Sequence, residues 1–406
     1  MGRNLVGVIR QALSAPGILR VFLASVVGRL PMGAVGLIFI LRTEELTGSF
    51  AAGGVVAGAS AIAHGLGAPL IGRLVDRRGQ TAVLVGTGAV FLAALTGFAL
   101  LPPEAPLGAA VATATIAGIA FPPVGAALRA LWASQIEDED MRHAVFAFES
   151  AVFEIVYLAA PLVFVAGIAS WSLPAAAIAA GVLGAAGAWL FAAADASRAW
   201  RSAHRSTDWA GPLRGPAVRV LIGALMILGV AVGAVEIAVA AFTGVGAAAA
   251  ILSLWGVGSL IGGIAAARTR APSDPAWRLT WVFGALAAGT APLALAGDTR
   301  TLAVLIVIAG LGIAPALATA FGLLGQVAPP GTVTEAYTWV STGFGAGIAA
   351  GSALGGWAVE ASGTTLAFLL AAAAAAGAAV VVALGRDVLR AGHRGARAAV
   401  PAPAPA

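Results

Sequence analysis

The stretch Gly67–Val85, "GAPLIGRLVDRRGQTAVLV", decides how this chain is read. It wedges Arg73, Asp76, Arg77 and Arg78 between two long runs that carry almost no charge. A water-facing fold rarely flanks so dense a charged turn with apolar residues on both sides. The whole chain has the same character. Of its 406 residues 60% are hydrophobic and only 10% charged, with a mean hydropathy of +0.96. Soluble domains average about 45–50% apolar and about 25% charged. There is too little charge here to coat a soluble surface, so the solvent is lipid.

Backbone groups at bilayer depth find no water, and spanning segments must be helices or a closed barrel. The apolar runs are rich in Ala, Leu, Gly and Val and lack the alternation of barrel strands. A span takes about 20 residues. Breaks at charges, Pro and Gly leave twelve candidates: 18–41, 48–74, 81–101, 106–130, 144–168, 172–194, 217–242, 244–267, 279–297, 301–327, 335–360 and 364–385. The seventh and eighth are divided only by "FTGVG" (Phe242–Gly246). The predicted class is an all-α polytopic membrane protein of twelve transmembrane helices.

The arginines orient it. With both termini in the cytoplasm, 20 of the 23 arginines fall in cytoplasmic segments or adjacent span ends; only Arg29, Arg42 and Arg300 do not. This is the bias of the positive-inside rule. Lysine is absent and alanine abundant, which suggests a GC-rich bacterial genome and a bacterial inner (plasma) membrane. The basic balance is explained by topology, so no nucleic-acid partner is expected. Cysteine is absent, which excludes thiolate chemistry. The start "MGRNLVGVIRQALSAPG" precedes a full-length span and reads as uncleaved.

The longest internal polar segment, 195–216, separates an N-terminal six-helix bundle (1–194) from a C-terminal one (217–385). Residues 386–406 read as a basic, disordered Pro-Ala tail that is inert or skims anionic membrane lipids. Two echoes near an offset of 190 residues link the halves: "GIAFPP" (118–123) with "GIAP" (312–315), and "GAPLIGRLVDRRG" with "GSLIGGIAAARTR". Repeated halves mark secondary transporters.

Gly72, Leu74, Asp76, Arg77 and Gly79 match the loop signature G-x-L-x-D-R-x-G, while Gln80 and Thr81 replace its two closing basic residues. In this the chain resembles the major facilitator superfamily. The resemblance covers the whole chain, with its twelve spans split six and six. It implies two pseudo-symmetric bundles working by alternating access, a monomer, a small-molecule substrate, and no cofactor. It also implies a conformational latch at Gly72, Arg73, Asp76, Arg77 and Gly79, which holds the cytoplasmic ends together in the outward-open state. The alternative for these arginines is a plain topology anchor. In span eleven, Gly343, Gly347, Gly351 and Gly355 recur every four residues, a ladder for close helix approach. It fits a seam with the strip Gly54, Gly58 and Ala61 of span two, or packing within its own half.

Charges at depth are expensive and are functional candidates by default. They are Arg29, His64, Glu149, Glu154 and Glu236. Glu154 is the first candidate for a proton carrier, with Tyr157 and Pro161 on its helix face; a buried pair with Arg29, static or titrating, is the expectation. Glu149 is turned about 140° from Glu154 on an ideal helix, and Arg129 is its expected structural partner. Glu236 has no charged partner in its own half; it is a second proton or substrate site, or faces the outer vestibule. His64 reads as a satisfied core histidine more readily than as a relay.

The fifth-helix signature of proton–drug antiporters, G-x-x-x-G-P-x-x-G-G, keeps only its proline: Val156, Ala160, Pro161, Phe164 and Val165 stand there. Their fourth-helix arginine aligns with Thr115. Spans so poor in hydrogen-bonding side chains suit a hydrophobic or amphipathic solute better than a sugar, whose hydroxyls need partners. Proton-coupled efflux is therefore the reading. Uptake or uniport of a small polar metabolite is the alternative, and a non-transporting receptor or scaffold the rival from another class. No catalytic residues, metal-ligand spacing or phosphate-cradling loop point to an enzyme.

Overall fold

The computed structural model describes residues 18–136, 138–169, 171–202, 211–243, 245–269 and 273–398, and they form helices without a single strand. The first half holds α1 (Ile18–Thr47), α2 (Phe50–Arg78), α3 (Gln80–Ala99), α4 (Leu107–Gln135), α5 (Glu139–Pro161) and α6 (Leu173–Ala192). The second holds α7 (Pro216–Thr243), α8 (Val245–Ala267), α9 (Pro275–Leu295), α10 (Thr299–Val327), α11 (Val333–Ser362) and α12 (Thr364–Leu384). Ten of these segments are long and apolar enough to cross a membrane. The other two are α5, which continues as a π-helical stretch over Leu162–Ala169, and the 30-residue α11. Gly, Ser and Thr dilute the hydropathy of α11. The protein is an integral multi-pass membrane protein built of two six-helix bundles.

Prolines shape the broken spans. Pro31 lies in a 3-10 turn, Leu30–Gly33, inside α1, and Pro122 and Pro123 interrupt α4 after Ala120, since proline removes a helical donor. The charged stretch 73–78 is not a loop. It is the last turn of α2, and Gly79 makes the whole connection to α3 with φ +85°, where a side chain would be strained.

The tail also differs from expectation. Residues 386–398 form a helix, α13 (Arg386–Ala398); residues 399–406 lie outside the described residues. Leu389 is fully buried, and Arg390 Nε donates to Asp274 Oδ2 at 2.7 Å. Burial raises the Asp274 carboxyl's pKa, but hydrogen bonds from Arg390 and from the Trp277 backbone outweigh it and hold it below its usual range. An amphipathic segment that finds a groove and a counter-charge folds where composition alone suggests disorder.

The glycine ladder packs within its own half. A methyl added at Gly347 would lie 1.9 Å from Met226 O, one at Gly351 2.1 Å from Val230 O, and one at Gly233 2.1 Å from Ile348 O. The backbones of α7 and α11 thus touch directly. The strip on α2 meets no helix: nothing lies within 4 Å of a methyl at Gly54 or Gly58. Spacing specifies close approach, not the partner.

The cores tell how the halves are arranged. One cluster of buried side chains is confined to α1–α6 and another to α7–α12. A third joins both halves at the arginine-rich end, through residues such as Phe22, Trp132, Phe146, Phe321 and Tyr337. Along α2 a methyl at Gly72 would be 2.6 Å from Thr338 Oγ1 of α11, and one at Gly65 3.7 Å from Thr342 Cγ2; at Gly58 nothing is near. The bundles meet at the arginine-rich end and diverge from it.

Gly347→Val should lower the thermal midpoint of the detergent-solubilised protein sharply, since overpacking costs about 1–3 kcal/mol or more. Gly58→Ala should leave it unchanged or raise it, as alanine is the better helix former by about 1 kcal/mol. Equal effects of the two would refute the assignment of the ladder.

Candidate functional site

The contacts that close the arginine-rich end begin with the charged turn. Asp76 accepts hydrogen bonds from two backbone N–H groups at the start of α11, from Thr334 at 3.1 Å and from Glu335 at 2.9 Å. These groups have no intrahelical partner and sit at the positive end of the helix dipole. Arg73 donates to both oxygens of Glu335, at 2.9 and 2.6 Å. Gly72 lets the helices approach, and Thr342 Oγ1 donates to Gly65 O at 3.0 Å one step further along. Arg77, in the same last turn, is exposed. A related seam joins α5 and α8, the helices equivalent to α11 and α2, where Thr269 Oγ1 lies 3.4 Å from His143 Nε2.

Deeper in, Glu149 of α5 is fully buried between two arginines. Arg129 of α4 donates to it through Nε at 3.1 Å and Nη2 at 3.0 Å. Arg29 of α1 donates through Nη1 at 2.5 Å, and spends its other nitrogens on Ser25 O and Ser25 Oγ. The Arg129–Glu149 pair is the one expected, and Arg29 joins it. Arg29 ends a helical segment just before the 3-10 turn, and α5 turns Glu149 to that side. The Glu154 side chain lies outside the described residues.

An aromatic layer covers the cluster from the other half. The Arg129 guanidinium stacks on Phe321 of α10, 3.7 Å from the ring centroid. Phe146 of α5 stacks on Tyr337 of α11 at 6.4 Å, and the Tyr337 hydroxyl donates to Phe321 O at 3.0 Å.

The remaining candidates stand apart from this cluster. His64 is held by Gly118 O at 3.3 Å and edges onto Phe121, a packed histidine between α2 and α4. Glu236, on α7, is half-buried and makes no ion pair or side-chain hydrogen bond among the described residues. Sequence reasoning missed Glu335. Its signal is "TVTE", Thr332–Glu335, a capping-box pattern that places an acid in the first turn of α11.

A family model described as Major Facilitator Superfamily matches residues 277–406, the last four spans and the tail. No curated protein matches the chain. Solved structures do, over nearly its whole length. A bacterial homologue of the iron transporter ferroportin, in its outward-facing state, gives a TM-score of 0.72 at 14% identity, covering 91% of this chain and 98% of its own. The human organic anion transporter MFSD10 gives 0.69 at 14% identity, covering 90% and 98%. The proton:xylose symporter XylE gives 0.66 at 14% identity, covering 89% and 94%. The chain has the major facilitator superfamily fold.

Two outcomes test the site. The chain has no cysteine, so an introduced thiol reports on one position. Thr338→Cys, buried in the seam, should resist a water-soluble maleimide and label several-fold faster once combined with Asp76→Asn; Ala61→Cys, on the exposed strip, should label readily in both backgrounds. Unchanged reactivity at position 338 would sink the latch. Glu149→Gln leaves two buried arginines without their counter-ion and should cost about 3–5 kcal/mol of stability, seen as a lost or strongly lowered thermal midpoint. A midpoint like that of the parent would show that the cluster does not hold these helices.

Proposed function

We propose that the protein is a secondary transporter of the major facilitator superfamily, working by alternating access and seen here facing outward. The observation that carries this reading is the joining of two otherwise divergent bundles at one end only, by Asp76 and Arg73 reaching the first turn of α11. With the arginine-rich end in the cytoplasm, as the positive-inside rule requires, the closed gate is cytoplasmic and both termini lie on that side. The bacterial plasma membrane is the proposed location.

The solute is a small hydrophobic or amphipathic molecule, and the direction is efflux. Support comes from the scarcity of hydrogen-bonding side chains in the spans. The similar proteins are an organic anion transporter, a homologue of an iron transporter and a proton:xylose symporter, so the fold leaves the choice of solute to side chains. Coupling is to protons. Glu149 is committed to two arginines, and protonating it would strand their charge. Glu236, without such a partner among the described residues, and Glu154 are the carboxylates proposed to carry a proton. One proton crossing 100 mV supplies about 2.3 kcal/mol, enough to export a solute against a modest gradient.

Proteoliposomes with an imposed pH gradient and a trapped pH-sensitive dye test the coupling, with lipophilic dyes screened as solutes. Active solutes should dissipate the gradient in the parent and fail to do so in Glu154→Gln or Glu236→Gln, each of which should keep the parental thermal midpoint. Undiminished proton movement in the double variant would refute proton carriage by these residues.

A further inference from the structure

One surface lies outside the solute path and combines features that neither the latch nor the buried cluster uses. The tail helix α13 is fixed over the first turn of α9. Leu389 is buried beneath it, a methyl at Gly392 would rest 3.2 Å from Val327 Cγ1 of α10, and Arg390 holds Asp274. Asp274 also caps α9, accepting from the Trp277 N–H at 3.0 Å. Arg386 is thereby set at the joint between α12 and α13, its guanidinium over the Trp277 ring at 5.5 Å. Its Nε is buried and has no hydrogen-bond partner among the described residues.

The surroundings are lipid-facing. Trp277 and Trp281 are 45% and 62% exposed and meet edge to face at 5.5 Å. Together with Ala285 and Ala288 they form one exposed stripe running up α9. On α12, which packs against α9, Val380 and Leu384 are 53% and 82% exposed. Tryptophans concentrate where the acyl region gives way to headgroups, and the end of α12 and the start of α9 share that level. Arg394, two turns along α13 from Arg386, is exposed as well. The acids paired with arginines of α13 among the described residues are Asp274, held by Arg390, and Asp387, 3.7 Å from Arg390 Nη1. The Arg386 side chain makes no ion pair or hydrogen bond among the described residues, and the edge formed by its two terminal nitrogens matches two phosphate oxygens.

We propose that the corner formed by α9, α12 and α13 binds an anionic phospholipid, with Arg386 on the headgroup phosphate and the acyl chains along Trp277, Trp281, Val380 and Leu384. The site needs no particular solute, direction or coupling ion. A lipid held there fastens α13 to the second bundle at the cytoplasmic gate.

Native mass spectrometry of the full-length protein, titrated separately with 1-palmitoyl-2-oleoyl-phosphatidylglycerol, the matching phosphatidylcholine, and water-soluble glycerol phosphate, tests it. Phosphatidylglycerol should bind several-fold more tightly than phosphatidylcholine. Arg386→Gln should weaken phosphatidylglycerol about fivefold, the effect of one arginine near a charged bilayer surface, and leave phosphatidylcholine unchanged. Arg300→Gln, at the opposite end of the second bundle, should change neither. Arg386→Lys keeps the charge without the planar edge and should fall between parent and Arg386→Gln; it serves if the latter does not fold. Equal affinity for the two lipids, or full retention of phosphatidylglycerol by Arg386→Gln, would overturn the site. Glycerol phosphate that competes as well as the lipid would show a free phosphate to be the occupant, and would overturn it too.

Discussion

The carboxylate of Asp76 satisfies backbone donors that lie 258 residues further along the chain. Everything at the closed end follows from that reach. The first N–H groups of α11 must be capped by something, because a helix leaves them without partners. A cap supplied from the other bundle makes closure of the gate and completion of a helix the same event. Hydrogen bonds to a charged group contribute about 1.5–3 kcal/mol, and water replaces both partners when they separate. Such a latch is firm while shut and leaves no buried polar group stranded when open. Gly72 and Gly79 serve it from either side, one by removing bulk from the seam and the other by ending α2 within a single residue.

The contacts inside a bundle are of another kind. Between α7 and α11 the backbones themselves touch at Gly229, Gly233, Gly347 and Gly351, and no side chain is interposed that might rearrange. In lipid, where apolar residues gain nothing by leaving the solvent, such close van der Waals contact is what holds helices together. The α2–α11 seam uses threonine hydroxyls, carboxylates and guanidinium groups instead. Backbone-to-backbone contact between α7 and α11 and exchangeable polar contact between α2 and α11 would suit the proposed rigid-body rocking.

Much of this was written in the sequence. Hydropathy and the one-sided arginines specify twelve helices in two sets of six, because the cost of backbone polarity in lipid admits few alternatives. The stretch 72–79 marks a contact between the halves, though it reads as a loop rather than a helix end, since only the φ of Gly79 distinguishes the two. The pairing of Arg129 with Glu149 followed from matching depth. That Arg29 joins them did not, because the 3-10 turn at Leu30 shifts the register of α1 and a long guanidinium side chain reaches beyond its own level. Helix period and depth locate a charge on one helix; they do not say which neighbour turns towards it. The same limit hid the partner of the glycine ladder, and α13 was lost to a composition that resembles a linker until Asp274 is placed beside it.

The buried cluster shows how a charge survives at a moving interface. Arg29, Arg129 and Glu149 all belong to the first bundle, so under the proposed rocking the ion pairs would travel with it unbroken. Two arginines against one glutamate leave a unit of positive charge, and Arg129 meets it with the face of Phe321 from the second bundle. Of the ion pairs, hydrogen bonds and ring contacts made by this cluster among the described residues, only that stacking crosses the divide. A cation–π contact contributes about 0.5–2 kcal/mol, no more than the ~2.3 kcal/mol that one elementary charge gains in crossing 100 mV. Parting the bundles therefore breaks the weakest interaction in the layer and exposes a guanidinium face that water readily solvates. Had Glu149 come from the second bundle, each cycle would strand two buried arginines, at about 3–5 kcal/mol for a broken buried pair, and the gate would stay shut. Placing all the ionic bonds of this cluster within one bundle is what would let a buried charged layer sit beside a seam that opens, as the proposed mechanism requires.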